Sequence, residues 1–277
     1  MSVAGLLLGD SRFPAGGHAH SGGVEPAVTA GTVTDLGSLE LFLKGRLRTS
    51  GLVAAAIAAA ACAHVQCLTG AGRDGGTDGA DGNSADGRAG GDDADGGAGR
   101  ADAEGGAGRY WSELDAETDA RMPAPAQRQA SRRQGRALLR AVRAAWPDAV
   151  WLTGLTAWAS ASALALAATS EYRGGPHHAV VLGAAAAAAG CQPGEAARIA
   201  AYQAVAGPVS AAVRLLALDP MRATAVLARL AGDIERVAAD GARYAGGPLR
   251  DLPSASAPAL DLLAEVHMRA EVRLFES

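Results

Sequence analysis

Apolar side chains recur at steps of three and four residues along most of the chain. Leu36, Leu39, Leu43 and Leu47 follow Asp35 in this way, and the spacing predicts an amphipathic helix with a polar N-cap. The same pattern predicts further helices over residues 52–68, 126–145, 151–169, 178–189, 194–218, 220–241 and 258–274. No segment alternates with a period of two over a convincing length, so the sequence predicts an all-α, single-domain helical bundle.

Local signals refine the ends of these helices. Ser112-Glu113-Leu114-Asp115 fits a capping-box start, and Asp219-Pro220 is a favourable pair of N-cap and first-turn residues. Gly207-Pro208 predicts a kink inside the helix over 194–218. His177 and His178 are adjacent and would point in different directions on a helix, so we expect a helix start there rather than a chelating pair.

One segment, residues 70–109, departs from the helical pattern. Its 40 residues hold 15 glycines, 9 alanines, 9 carboxylates and 4 arginines, and no Val, Ile, Leu, Met or aromatic residue. Such a composition cannot bury enough apolar surface to offset the entropy of ordering. We predict a disordered acidic insert at 70–109, with residues 1–69 and 110–277 forming one helical domain.

Composition and charge exclude several classes of function. The net charge is −4, and the scattered arginines form no basic stripe with interleaved aromatics, which speaks against nucleic acid as a partner. The most apolar stretches, 52–65 and 179–189, are shorter than a membrane-spanning helix. The three cysteines, Cys62, Cys67 and Cys191, give no disulfide framework. These features predict a cytoplasmic protein without a membrane partner.

The densest group of polar residues lies near the N-terminus, in the run DSRFPAGGHAHSGGVE over residues 10–25. Asp10, Ser11 and His20 are residue types that could form a hydrolytic nucleophile, base and orienter, but no G-x-S-x-G elbow is present. His18 and His20 could ligate a metal ion, although two ligands are few for a tight site. The remaining interpretation is a structural turn set by Pro14 and the glycines.

Taken whole, this run resembles the N-terminal signature of the urease accessory protein F family (UreF). The positions that fall in register with the signature are Asp10, Ser11, Pro14, Gly16, Gly17, His20, Ser21, Gly23 and Glu25. His18 stands where the family usually has an aromatic residue, and Val24 replaces a leucine.

Three later segments are similar to the same family, in the same order. The first is the helix over 129–139, in which the matching residues are Ser131, Gly135, Leu138 and Leu139. The second is the helix of Tyr202 and Arg214, after which Asp219-Pro220 departs from the family's Gly-Gln pair. The third is the C-terminal region, in which the matching residues are Pro258, Asp261, His267, Arg273, Leu274, Phe275 and Ser277.

The resemblance implies a urease maturation factor that is not an enzyme. It would be a scaffold, dimeric in its complex, that bridges a urease-binding accessory protein (D or H) and the nickel-carrying GTPase (G) for nickel insertion into apo-urease. Nickel and GTP would belong to the partners, so no cofactor is expected here. The residues expected to contact partners are Asp10, Ser11, Pro14, Gly16, Gly17, His20, Ser21, Glu25, Tyr202, Arg214, His267, Arg273, Leu274 and Phe275.

Alternatives to this function and to the role of the C-terminus stay open. One is a metallochaperone that binds nickel directly through His18 and His20, with His267 as a further ligand across a dimer. The other is a hydrolase that uses Ser11 or Ser21. At the C-terminus, Phe275 and its neighbouring arginines could insert into a partner's groove, or the terminal helix could pack on its own bundle.

Overall fold

The computed structural model describes residues 2–10, 13, 20–70, 96–149, 154–161, 174–270 and 273–275, with residues 96–107 described by their backbone only. Its α-helices are α1 (Val3–Gly9), α2 (Val24–Thr29), α3 (Leu36–Arg46), α4 (Leu52–Gly70), α5 (Gly96–Ala120), α6 (Pro125–Ala145), α7 (154–161), α8 (His178–Ala188), α9 (Pro193–Leu215), α10 (Pro220–Ala242) and α11 (Pro258–Met268). A 3₁₀ turn, Leu249–Asp251, precedes α11. The described residues contain no β-strand, and the predicted all-α class is confirmed.

Helix α4 is the centre of the bundle and packs against α8, α9 and α10. Its alanines are almost all buried, and they allow the neighbouring backbones to come very close. A Cβ atom added to Gly183 of α8 would lie 2.2 Å from the carbonyl oxygen of Ala58, and one added to Gly241 of α10 would lie 2.8 Å from Cβ of Ala55. The alanine and glycine in these helices therefore serve close backbone packing.

Helices α3 and α4 form one continuous run of 35 residues, Leu36–Gly70. The two helices are joined by a π-helical turn, Leu47–Gly51. By length and composition this run could cross a membrane, but 61% of its most apolar window is buried inside the protein. The core helix of a globular bundle has the same properties.

Helix α9 continues through Pro208 and does not end there. Proline has no N–H, so the carbonyl of Ala204, four residues earlier, loses its helical donor. Arg46, the last residue of α3, replaces that donor: its Nε donates to the Ala204 oxygen at 2.9 Å. The irregular turn after α3 and the proline of α9 thus meet, and the arginine satisfies the carbonyl that the proline releases.

Two predicted helix starts are confirmed and one is wrong. Asp35 caps α3 in a capping box with Ser38, and Asp219 caps α10 by accepting from the Met221 N–H at 2.9 Å. Ser112 does not begin a helix, because α5 already starts at Gly96. Inside the helix its hydroxyl donates to the Gly108 carbonyl at 3.1 Å. This local bond is how a serine is accommodated in the interior of a helix.

The segment predicted as an insert is described only in part. Residues 71–95 lie outside the described residues, and 96–109 form the first part of α5. Of the helix predicted over 151–169, residues 154–161 are helical, and 151–153 and 162–169 lie outside the described residues.

Two further stretches depart from regular helix. Between α9 and α10, Ala217 has a φ of 49°, a left-handed conformation that favours glycine. The last helix ends at Met268, whereas the prediction carried it to Leu274. The N–H groups of Leu274 and Phe275 donate to Glu25 instead of to helical carbonyls.

Candidate functional site

The carboxylate of Glu25 joins the N-terminal signature to residues 273–275, which we call the tail. Glu25 lies in the first turn of α2 and is buried. Its Oε1 accepts from the Leu274 N–H at 2.7 Å and its Oε2 from the Phe275 N–H at 2.9 Å. One carboxylate therefore holds two consecutive backbone donors, and hydrogen bonds to a charged acceptor are the stronger kind.

His267 supports the same contact from α11. Its Nε2 lies 3.2 Å from the Phe275 carbonyl oxygen and 3.4 Å from Oε2 of Glu25. Both of these oxygens are acceptors, so the geometry requires a proton on Nε2. His267 is buried, and it connects the end of α11 to both the signature and the tail.

The ring of Phe275 is buried within its own chain, with 6% of the residue exposed. The guanidinium carbon of Arg214, in the last turn of α9, lies 4.5 Å from the centre of that ring, which is cation–π distance. Of the two roles predicted for the C-terminus, this chain shows Phe275 packed on its own bundle. The signature, α9, α11 and the tail therefore meet at one corner.

Several apolar side chains of α11 and the tail are exposed. Leu274 is 76% exposed beside the buried Phe275, and Leu262 and Val266, one helical turn apart on α11, are 70% and 66% exposed. Arg273 lies with its Nη1 3.8 Å from Sδ of Met268, so the tail runs along the end of α11. Tyr202, another expected contact residue, is exposed on α9.

The N-terminal signature is described only in part. Ser11, Pro14, Gly16, Gly17 and His18 lie outside the described residues, as does the geometry that the nickel-binding and hydrolase alternatives require. Asp10 follows α1 directly, and its N–H donates to the Leu7 carbonyl at 3.2 Å.

The second half of the signature is a tight, buried turn. His20 and Ser21 are both buried, and the Ser21 hydroxyl has no hydrogen-bond partner among the described residues. Gly22 and Gly23 have φ of 60° and 87°, so the glycines set backbone angles as the turn interpretation expects. No group of three metal-ligating side chains in the described part of the chain includes His20 or His267.

The sequence interpretation missed a buried polar network between α5, α6 and the start of α8. Arg132 bonds Oδ2 of Asp115 at 2.8 Å and Oδ2 of Asp119 at 2.6 Å, while Nε2 of His177 lies 2.8 Å from Oδ1 of Asp119. Asp115, Asp119 and His177 are spaced closely enough to hold a metal ion. The guanidinium already occupies both carboxylates, so the network is structural.

Electrostatics support that structural role. Burial alone would raise the pKa of Asp119, but the hydrogen bond and charge of His177 and those of Arg132 outweigh it and hold the pKa below its ordinary value. Ser131 adds a contact at 3.0 Å to Nδ1 of His177, and Gly135 lets the chain at Pro176 come close to α6. The four-residue spacing of the two aspartates on one helix face was the signal available in the sequence.

Comparison with known proteins agrees with the resemblance. The family model described as UreF matches residues 33–231. The chain is 38% identical to the urease accessory protein UreF of Mycolicibacterium vanbaalenii and 40% identical to that of Mycobacterium sp. (strain JLS), each over 98% of this chain and 97% of the relative. The protein of the same name from Mycobacterium tuberculosis (strain H37Rv) is 38% identical over the same shares. This chain belongs to the UreF family of urease accessory proteins.

Proposed function

We propose that this protein is a non-catalytic scaffold in urease maturation. It bridges a urease-binding accessory protein, of type D or H, and the nickel-carrying GTPase G, so that nickel passes into apo-urease. Membership of the UreF family supports a part in urease maturation. Nickel is the cargo and GTP the substrate of the partner G in this scheme, and the scaffold acts in the cytoplasm as a homodimer.

The observation that carries the proposal is the corner at Glu25. Residues of three separate family motifs, namely Glu25, Arg214 and the tail, are in contact there. Next to them Leu262, Val266 and Leu274 are largely exposed. Exposed apolar side chains on neighbouring elements are typical of protein–protein contact sites, and we assign this corner to the D or H partner.

A co-purification experiment tests this assignment. Leu274→Asp and Leu262→Asp change exposed side chains, so each variant should keep the helical circular dichroism spectrum and the melting temperature of the wild type. Together they should reduce capture of the D or H partner at least tenfold, because a charge would enter an apolar contact. Leu41→Asp on α3 is the matched control, since Leu41 is 72% exposed and belongs to another surface.

Undiminished capture by the Leu262→Asp/Leu274→Asp variant would contradict the assignment. Loss of capture in Leu41→Asp alone would place the D or H contact on α3 instead. The same variants should leave capture of G unchanged if the two partners occupy different surfaces.

Nickel titration separates the scaffold from a metallochaperone. We expect no submicromolar nickel site on the isolated protein in isothermal titration calorimetry. A submicromolar site that disappears in the His18→Ala/His20→Ala variant would favour direct nickel binding. Sedimentation equilibrium of the isolated protein, and of its complex with the D or H partner, tests the homodimer.

A further inference from the structure

A cleft of about 1300 Å³ opens beside the signature turn. Its walls come from α1, α3, α4, α6, α8, α9, α10 and α11 and are mostly apolar, with side chains such as Leu8, Val53, Val209 and Leu260. Ligand sites in proteins are commonly concave and apolar, with a few polar groups that orient the ligand.

Arg46 is the charged group that the cleft leaves uncommitted. Its Nε donates to the Ala204 carbonyl, the one released by Pro208. Among the described residues, Nη1 and Nη2 have no hydrogen-bond partner and no carboxylate forms an ion pair with the guanidinium. Nη1 and Nη2 of Arg46, a residue that lines the cleft, therefore carry four N–H donors that have no acceptor among the described residues.

The surroundings make this an unusual place for an arginine. Its guanidinium lies against the signature turn, because a Cβ on Gly22 would be 3.4 Å from Cζ and Nε of Arg46. Burial lowers the pKa of Arg46 to about 10, with no neighbouring anion acting in the opposite direction. Arg46 is nevertheless only partly buried, so its guanidinium remains accessible, and an anion bound there would offset the cost of the partial burial.

Other charged groups of the cleft are engaged differently. Arg198 forms a two-oxygen contact with Glu235 at 2.8 and 2.9 Å, and Arg121 contacts Glu117 and several backbone carbonyls. Arg214 stacks on Phe275. The carboxyl groups of Asp10 and Asp261 also line the cleft, and burial raises the pKa of Asp261. Arg46 is consequently the group placed to receive an anion.

We propose that this cleft binds a ligand with an aliphatic part and a carboxylate, and that Nη1 and Nη2 of Arg46 donate to the carboxylate. The planar guanidinium matches the two oxygens of a carboxylate, while the apolar walls receive the aliphatic part. Two sources share this chemistry: a free aliphatic acid, and a glutamate side chain within an apolar peptide. The site goes beyond the scaffold function and does not depend on it.

The chain offers a substitution that separates the two roles of Arg46. In Arg46→Gln the amide nitrogen stands at the same distance along the side chain as Nε, so it can still donate to the Ala204 carbonyl, while Nη1 and Nη2 are gone. Arg46→Met removes the donor as well and should melt at a lower temperature than Arg46→Gln. Arg243→Gln is the matched control, because Arg243 is exposed and its guanidinium pairs with Asp240 at 3.3 Å.

Binding is measured on the full chain with two matched pairs of probes. The first pair is octanoate and octanamide, and the second is acetyl-Leu-Glu-Leu-amide and acetyl-Leu-Gln-Leu-amide. We expect at least one acid to bind at least tenfold more tightly than its amide by NMR titration. That preference should fall below threefold in Arg46→Gln and remain in Arg243→Gln. Preference for octanoate alone would identify free aliphatic acids, and preference for the peptide would identify an acidic side chain.

The same binding can be followed at Arg46 itself in the wild-type protein. The Nε resonance of Arg46 should shift on addition of the preferred acid and stay in place with its amide. The proposal is overturned if neither acid is preferred, if the preference persists in Arg46→Gln, or if the Arg46 resonance responds equally to acid and amide.

Discussion

Replacing Glu25 with alanine should release the tail from the bundle. Glu25 accepts the N–H groups of Leu274 and Phe275 at 2.7 and 2.9 Å, and each such bond to a charged group contributes about 1.5–3 kcal/mol. Burial of the Phe275 ring adds about 1.5–3 kcal/mol. Ordering the three tail residues costs about 1–2 kcal/mol each, so the docked tail is stabilised by about 2 kcal/mol.

Hydrogen exchange can measure a stabilisation of this size. A local opening free energy of about 2 kcal/mol corresponds to roughly 30-fold protection of an amide against hydrogen exchange. In Glu25→Ala the amides of Leu274 and Phe275 should lose this protection, while the amides of the buried helix α4 keep theirs. The free energy of global unfolding in urea should fall by no more than about 2 kcal/mol, because the tail can detach without the bundle opening.

The matched control is Glu235→Ala. Glu235 forms a surface ion pair with Arg198, and exposed pairs of this kind contribute about 0–1 kcal/mol. Its loss should not change exchange in the tail. Unchanged protection of Leu274 and Phe275 in Glu25→Ala, or equal acceleration in the control, would refute the inference that the carboxylate holds the tail.

Four further predictions concern packing, pH, a turn and the acidic segment. Gly183→Ala should lower the free energy of unfolding by about 3 kcal/mol because its Cβ meets a backbone oxygen, whereas Gly232→Ala, with open space around it, should raise it by about 0.5–1 kcal/mol; urea denaturation compares the two. The folded pKa of Asp119 is lowered, so its contribution to stability is present above the unfolded pKa of about 4 and is lost as pH falls through the folded value. Denaturation at pH 5 and pH 3 should therefore show a smaller loss in Asp119→Asn than in the wild type. Ala217→Gly should stabilise the protein by about 0.5–1 kcal/mol by relieving a left-handed alanine, seen as a higher melting temperature. Exchanging residues 71–95 for a Gly/Ser segment of equal length removes seven carboxylates and should move the melting temperature by less than about 2 °C; a larger shift would give those carboxylates a role in the folded domain.

Features set by neighbouring residues were predictable from the sequence. Asp35 and Asp219 begin helices because a cap and the first turn lie within a few residues of each other. The periodic apolar positions likewise identified α9 and α10. The helix start predicted at Ser112 was wrong because a serine is also found inside helices, where its hydroxyl can bond the carbonyl four residues earlier.

Features that depend on distant residues were not predictable. The position of the tail depends on Glu25, which bonds Leu274 across 249 residues of sequence. His177 meets Asp119 across 58 residues, so a prediction of a helix start could not reveal an ion network. The family motifs identified Glu25 and the tail separately, but periodicity carries no information about which motifs touch.

The contact between Arg46 and the carbonyl released by Pro208 has a consequence for how this sequence can change over evolution. A proline at 208 leaves the Ala204 carbonyl in need of a donor, and the side chain at 46 supplies it. With a residue other than proline at 208, the N–H of that residue could donate to the Ala204 carbonyl, which would then no longer depend on Nε of Arg46. Positions 46 and 208 should therefore covary among relatives, and a double-mutant cycle of Arg46→Met and Pro208→Ala should show coupling rather than additive effects.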